Sequence, residues 1–261
     1  MSDILTTIAA YTRERVEKEK EKLPMSEVKR QALGLGNQKT YPFERALARE
    51  GLSFICEVKK ASPSKGVISA DFPYLQIAKD YEEGGADCIS CLTEPKWFLG
   101  SDKIFSEIRQ AVSLPMLRKD FTVDEYQIYQ SKLLGANAVL FILSLLEEDR
   151  LKKYFAIAEG LGMSALFECR NQEQIERAER VGARIIGVNN RNLRDFSVDG
   201  GKAGELKKSV SAGKIFVAES GIMSADDVRA QKSAGADAVL VGEFFMRAND
   251  RVKLIREMKN V

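Results

Sequence analysis

Lysine and glutamate recur in this chain at the polar ends of short apolar runs. FICEVKK carries Glu57, Lys59 and Lys60; MLRKDF carries Arg118, Lys119 and Asp120; ALFECR carries Glu168 and Arg170. Further on, GVNNRNL carries Asn189, Asn190 and Arg191, FVAESG carries Glu219 and Ser220, and VGEFFM carries Glu243. A charge buried without a partner is costly, so such residues must be paired, solvated or functional. In an extended segment alternate side chains share a face, which puts Glu57 with Lys59 and separates both from Lys60. One interior ionisable residue reads equally well as a structural ion pair. Several converging on one place make a lysine–glutamate acid–base site. Histidine is absent from all 261 residues. That excludes serine–histidine triads, histidine metal sites and imidazole proton shuttles, and leaves Lys, Glu, Asp, Tyr or Cys for any proton transfer.

The cysteines offer less. Cys88 and Cys91 have C-x-x-C spacing inside ADCISCLTE. That segment reads as a strand, where residues three apart face opposite ways. No second pair completes a zinc site, and no helix start follows to activate a thiol. Cys88, Cys91, Cys56 and Cys169 read as reduced packing residues.

The elements that must position these groups follow from a repeat. Gly-Ala followed by an apolar run occurs at Gly85, Gly135, Gly182 and Gly235, at intervals of 50, 47 and 53 residues. Each is preceded by a helix-like segment, so the glycine suits a helix C-terminus and the run a buried parallel strand. Four more strand candidates, at 52–60, 114–121, 163–170 and 214–221, interleave with them. Eight strands alternating with helices predict an α/β fold, a (β/α)8 TIM barrel closed through right-handed crossovers. A large open sheet is the alternative. Residues 1–45 read as two helices packed over the barrel as an N-terminal helical extension, and residues 1–261 as a single domain. The charge run RERVEKEKEK reads as a solvated helix face.

Lys+Arg 40 against Asp+Glu 38 leaves +2, too balanced for a protein devoted to nucleic acid or anionic membrane. No apolar run is long enough to span a bilayer, and the first residues lack a signal peptide's apolar core. A cytoplasmic protein is the expectation.

Catalytic groups of such barrels lie at the C-terminal ends of the strands and in the loops after them, which is where the ionisable residues fall. Gly221 and Gly242, after strands seven and eight, suit a phosphate, since glycine lets backbone N–H groups approach and a short helix adds its dipole. This requires the Glu243 side chain to point away. The loop KKASPSKGVIS follows the strand of Glu57 and Lys59 and reads as a lid; it is not a P-loop.

Together CEVKKASPSKG, LTEPKWFLGS, LRKDF, LFECRN, GVNNRNL, AESGI and VGEFFMRA resemble the indole-3-glycerol-phosphate synthase family, in order along the chain. The resemblance implies conversion of 1-(o-carboxyphenylamino)-1-deoxyribulose 5-phosphate to indole-3-glycerol phosphate, carbon dioxide and water in tryptophan biosynthesis, with no cofactor and no metal. It implies Lys119 as general acid, Glu168 as general base, Lys59 on the substrate carboxylate, and Glu57 orienting the lysines. It further implies Asn189, Glu219 and Arg191 on substrate hydroxyls and charges, and Ser220, Gly221, Gly242 and the adjacent Glu243 at the phosphate. Ser62, Phe121 and Leu193 would shape the pocket. A lysine beside another lysine has its pKa lowered, which would suit Lys119 to acid work near neutrality. The implied partner is a phosphorylated small molecule, with neither nucleic acid nor membrane, and a monomer or weak homodimer as the assembly.

Three positions depart from the family's usual pattern: Arg170 stands where histidine is common, Ala218 where serine is frequent, and Trp97 where phenylalanine or tyrosine is usual. The competing readings are another phosphosugar enzyme on the same barrel, such as an isomerase of tryptophan or histidine biosynthesis, and a non-catalytic phosphate-binding barrel.

Overall fold

A computed structural model describes residues 4–192 and 196–261. Eight parallel strands close into a barrel: β1 (Ser53–Val58), β2 (Cys88–Leu92), β3 (Met116–Lys119), β4 (Ala138–Ile142), β5 (Ser164–Cys169), β6 (Ile185–Asn189), β7 (Ile215–Glu219) and β8 (Ala238–Val241). Closure is made by β1, which pairs in parallel with β8 through Ser53 and Ala238 and with β2 through Ile55 and Cys88. The closed order excludes the open sheet.

The Gly-Ala repeat has a local cause. Gly85, Gly135, Gly182 and Gly235 all have φ between 81° and 94°, the left-handed conformation that ends a helix at little cost in glycine. The alanine is buried each time. At three of the four joints the next residue then ties down a neighbouring strand: Asp87 accepts the Phe54 N–H at 2.8 Å, Asn137 the Met116 N–H at 2.8 Å, and Asp237 the Phe216 N–H at 2.7 Å. The repeat is therefore a joint between a helix end and two strand starts.

Strand alternation sorts the side chains into two layers. Ile55, Cys88, Leu117, Leu140, Leu166 and Leu240 fill the barrel interior, while Cys56, Cys91, Phe141 and Phe167 face the surrounding helices. Cys88 and Cys91 thus lie on opposite faces, and all four thiols are free and buried. Burial pushes their pKa up, so none is an activated nucleophile.

Three helices precede β1, one more than the sequence suggested: α1 (Ile4–Lys22), α2 (Met25–Gly34) and α3 (Pro42–Leu47). The boundary placed at residue 45 falls inside α3. This helix starts on a proline, which needs no N–H partner at that position, and seals the barrel floor with Phe43 and Leu47, both fully buried. In contrast, α1 lies over the mouth. Arg15 donates two hydrogen bonds to Asp120, at 3.0 and 2.8 Å, and Lys20 donates to Asp124 at 2.9 Å. The outer helices α4 (Tyr74–Gly84), α5 (Asp102–Ala111), α6 (Glu125–Leu133), α7 (Glu148–Gly160), α8 (Gln172–Val181), α9 (Lys202–Lys207), α10 (Ala225–Ser233), α11 (Glu243–Met246) and α12 (Arg251–Lys259) complete the alternation. No described helix is long and apolar enough to cross a membrane.

Candidate active site

A cavity of about 420 Å³ opens at the C-terminal ends of the strands, within the size range of small-molecule sites. Glu57 and Lys59 reach it from β1 and its end, Lys119 from β3, Glu168 from β5, Asn189 from β6 and Glu219 from β7. Neighbours one step along the strands face away. Arg118, for instance, is buried in the outer layer, where it donates to Asp102 at 2.7 Å and to Thr93 at 3.1 Å.

Two ion-paired groups occupy the cavity floor. Lys119 Nζ lies 2.5 Å from Glu219 Oε2 and 3.4 Å from Glu168 Oε2. Lys59 Nζ lies 2.5 Å from Glu57 Oε1, and the Ser90 hydroxyl donates to the other Glu57 oxygen at 3.4 Å. Asn189 donates to Glu168 Oε1 at 3.4 Å. Glu168 is thus held only by long contacts, whereas Glu57 and Glu219 are held tightly by lysines.

Three carboxylates and two ammonium groups in one buried space set the electrostatics. Burial pulls the Lys119 pKa down, but the Glu219, Glu168 and Glu57 carboxylates outweigh burial and hold it well above the ordinary lysine range. The expectation of a lowered lysine pKa is therefore corrected: carboxylates, not a second lysine, dominate its surroundings. Burial likewise pushes Glu57 up, yet Lys59 and Lys119 hold it below the usual carboxylate range. For Glu219 burial wins, only partly offset by Lys119, and its pKa is raised to about 7. Its second oxygen is buried with no hydrogen-bond partner, which is the physical reason the charged form is disfavoured there.

Glycines make the space these groups need. A Cβ on Gly242 would sit 2.7 Å from Glu57 Oε1 and 3.0 Å from Lys59 Nζ; one on Gly187 would overlap Glu219 Oε1. Glycine inside a strand marks such a close approach. Gly187 lies in GVNN and carried that signal, although sequence reasoning singled out only its neighbours.

The other sequence candidates fall on the same cavity. Ser62, Phe121, Arg191, Ser220, Gly221, Gly242 and Glu243 line it. Leu193 lies outside the described residues. Ser220 and Gly221 follow β7 with φ of 66° and 81°, and a non-glycine residue in this region stores local strain. The Glu243 carboxylate is engaged by Arg247 at 3.0 Å, within the turn that ends its own helix. The segment after Lys60 forms a small hairpin, Ala61–Ser62 against Gly66–Val67, with Lys65 Nζ 3.9 Å from Glu243.

Sequence reasoning placed residues 1–45 over the barrel but named none of the residues that cover and support the cavity. Ile4, Leu5 and Ile8 of α1 line the cavity together with Phe98. Glu94 is fully buried and accepts the N–H groups of Lys96, Trp97 and Phe98 at 2.9, 2.7 and 3.0 Å, folding the loop that presents Phe98. Trp97 itself packs edge-on against Tyr11 of α1 at 5.3 Å. A carboxylate directly before Pro-Lys-Trp was the available sign of this loop. Among the described residues, no three His, Cys, Asp or Glu side chains are grouped to hold a metal ion.

Comparison with known proteins decides the family. The model of the indole-3-glycerol phosphate synthase family matches residues 5–258. The chain belongs to the indole-3-glycerol phosphate synthase family. The synthase of Ruminiclostridium cellulolyticum is 51% identical over 247 residues, covering 95% of each chain. That of Endomicrobium trichonymphae is 50% identical over 258 residues, covering 98% of this chain and all of its own. As a member of the family this chain is a carboxy-lyase of tryptophan biosynthesis. Solved structures share the fold at much lower identity. The thiamine phosphate pyrophosphorylase from Pyrococcus furiosus has a TM-score of 0.61 at 18% identity, covering 84% of this chain and 96% of its own. A 3-hexulose-6-phosphate synthase has 0.64 at 15%, covering 80% and 99%.

Proposed function

We propose that this mouth closes the indole ring of 1-(o-carboxyphenylamino)-1-deoxyribulose 5-phosphate through the lysines and glutamates named above. The observation that carries the proposal is the position of Lys119 Nζ, between Glu168 and Glu219 in one cavity with the Lys59–Glu57 pair.

Lys119 donates a proton to the ketone oxygen as the aryl carbon attacks the ketone carbon. A developing alkoxide is more basic than a lysine held above its ordinary range, so the transfer remains favourable, and the ammonium stabilises negative charge before the proton moves. Loss of carbon dioxide restores the aromatic ring. Glu168 then takes the proton released as the hydroxyl departs; its long contacts leave its oxygens available for this. Lys59, oriented by Glu57, holds the substrate carboxylate and shares the acid work of dehydration. Asn189, Glu219 and Arg191 hold substrate hydroxyls, Ser62 and Phe121 shape the wall, and Ser220, Gly221 and Gly242 receive the phosphate. Glu243 lies beside that phosphate with its charge turned to Arg247.

All these groups come from one chain, which supports one folded unit over residues 1–261, working as a monomer or weak homodimer on a phosphorylated small molecule. Four unpaired, buried thiols suit a reducing compartment, the cytoplasm. The test is direct: incubate the purified protein with the carboxyphenylamino substrate and follow indole fluorescence. Substrate binding without indole formation would refute the proposal.

A further inference from the structure

A second cavity opens on the same end of the barrel, between the segments that follow β4, β5 and β6, and shares no lining residue with the first. Its charged lining is Arg170, Arg177, Lys202 and a single carboxylate, Glu147, which is exposed at the rim. Arg170 Nε and Nη2 are buried with no hydrogen-bond partner, and so is Arg177 Nε. Arg177 is fixed by its Nη2, which donates to the Leu143 carbonyl. Arg170 is fixed through its backbone, whose N–H donates to Gln174 at 2.9 Å. The ten-residue helix α8 starts beside them, with Asn171 as its N-cap, so its positive end opens on the same space.

Buried guanidinium nitrogens without acceptors are costly. Two arginines, a lysine and a helix N-terminus surround an opening large enough for a small molecule, with one exposed carboxylate opposing them. We propose that this cavity is a second anion site, taking a phosphoryl group against the cationic lining of Arg170, Arg177 and Lys202 at the start of α8. Guanidinium groups match tetrahedral oxyanions through paired N–H donors. The occupant is free phosphate or the phosphoryl group of a small phosphate ester. None of the catalytic residues takes part.

The test is isothermal titration calorimetry on protein whose catalytic cavity is first saturated with indole-3-glycerol phosphate. Inorganic phosphate is titrated at constant ionic strength, and glycerol 3-phosphate is titrated in a second series. One site per chain is expected for at least one of the two, and the tighter of them identifies the source. Arg170→Gln, which leaves the Arg177 anchor in place, should weaken binding roughly tenfold or more. Lys202→Gln should weaken it by a smaller factor and serves as an independent arm. No binding of either anion to the saturated protein, or equal binding by wild type and Arg170→Gln, overturns the site.

Discussion

Lys119 Nζ and Glu219 Oε2 stand 2.5 Å apart on strands that are not neighbours in the barrel. The pair spans the mouth and sets an ammonium held above its ordinary range against a carboxyl whose pKa is raised to about 7.

Stability should carry the mark of that carboxyl. A raised folded-state pKa favours the protonated form, so the Glu219 contribution is fully present below the ordinary value of 4.5 and is lost as pH rises to about 7. Over this window Glu219→Gln should flatten the fall of melting temperature with pH. Parallel thermal melts of both proteins across the window check this. Identical slopes would remove Glu219 as the titrating group.

Replacing Lys119 with alanine removes the proposed proton donor but leaves the walls of the cavity. Turnover should fall by about 10³-fold with substrate still bound, in the range expected for a lost general acid. Steady-state kinetics by indole fluorescence, with a separate binding titration, separates the two. An unchanged kcat would end the acid assignment.

Glu168→Gln should slow dehydration more than ring closure. Rapid-quench samples should then accumulate a decarboxylated, ring-closed intermediate. Slow turnover with no such species would move the base elsewhere.

Gly187 tests the packing beneath the chemistry. Because an added Cβ would overlap Glu219 Oε1, Gly187→Ala must displace that carboxylate and with it Lys119. A misplacement of this kind should lower kcat by about 10²-fold, while circular dichroism reports an intact barrel. Wild-type rates would mean Glu219 moves without consequence.

The Arg15–Asp120 pair ties α1 to the residue after Lys119, and Asp120 also accepts from Thr93 at 2.7 Å. Arg15→Met should destabilise the protein by about 2–3 kcal/mol, since a buried carboxylate loses its charged donor. KM should rise, because Ile4, Leu5 and Ile8 of the same helix line the cavity. Urea unfolding and Michaelis kinetics read the two effects; a stable variant with normal KM would reduce α1 to a passive cover.

Much of this architecture was legible because local rules and global fold agree. The Gly-Ala repeat marked the starts of four strands, and strand alternation separated Glu57 and Lys59 from Lys60, and Cys88 from Cys91. The convergence of Lys119 and Glu168 on one cavity was legible because an apolar side chain would bury at a strand end more cheaply than either, so the charge there points to chemistry. What escaped depended on distance in sequence. Arg15 meets Asp120 across 105 residues, and no periodicity announces that. The electrostatic error had the same origin: lysines at separate strand ends suggest mutual repulsion, whereas three glutamates from β1, β5 and β7 surround Lys119 only after the barrel closes. Glu94 was hidden because a carboxylate that folds its own loop resembles any polar turn.

Replacing a buried ion cluster with well-packed apolar residues often leaves a protein as stable or more so. The five charges at this mouth are held there against that gradient. A directed-evolution campaign that rewards heat resistance alone would therefore be expected to erase Glu57, Lys59, Lys119, Glu168 and Glu219 early, yielding robust barrels with no turnover.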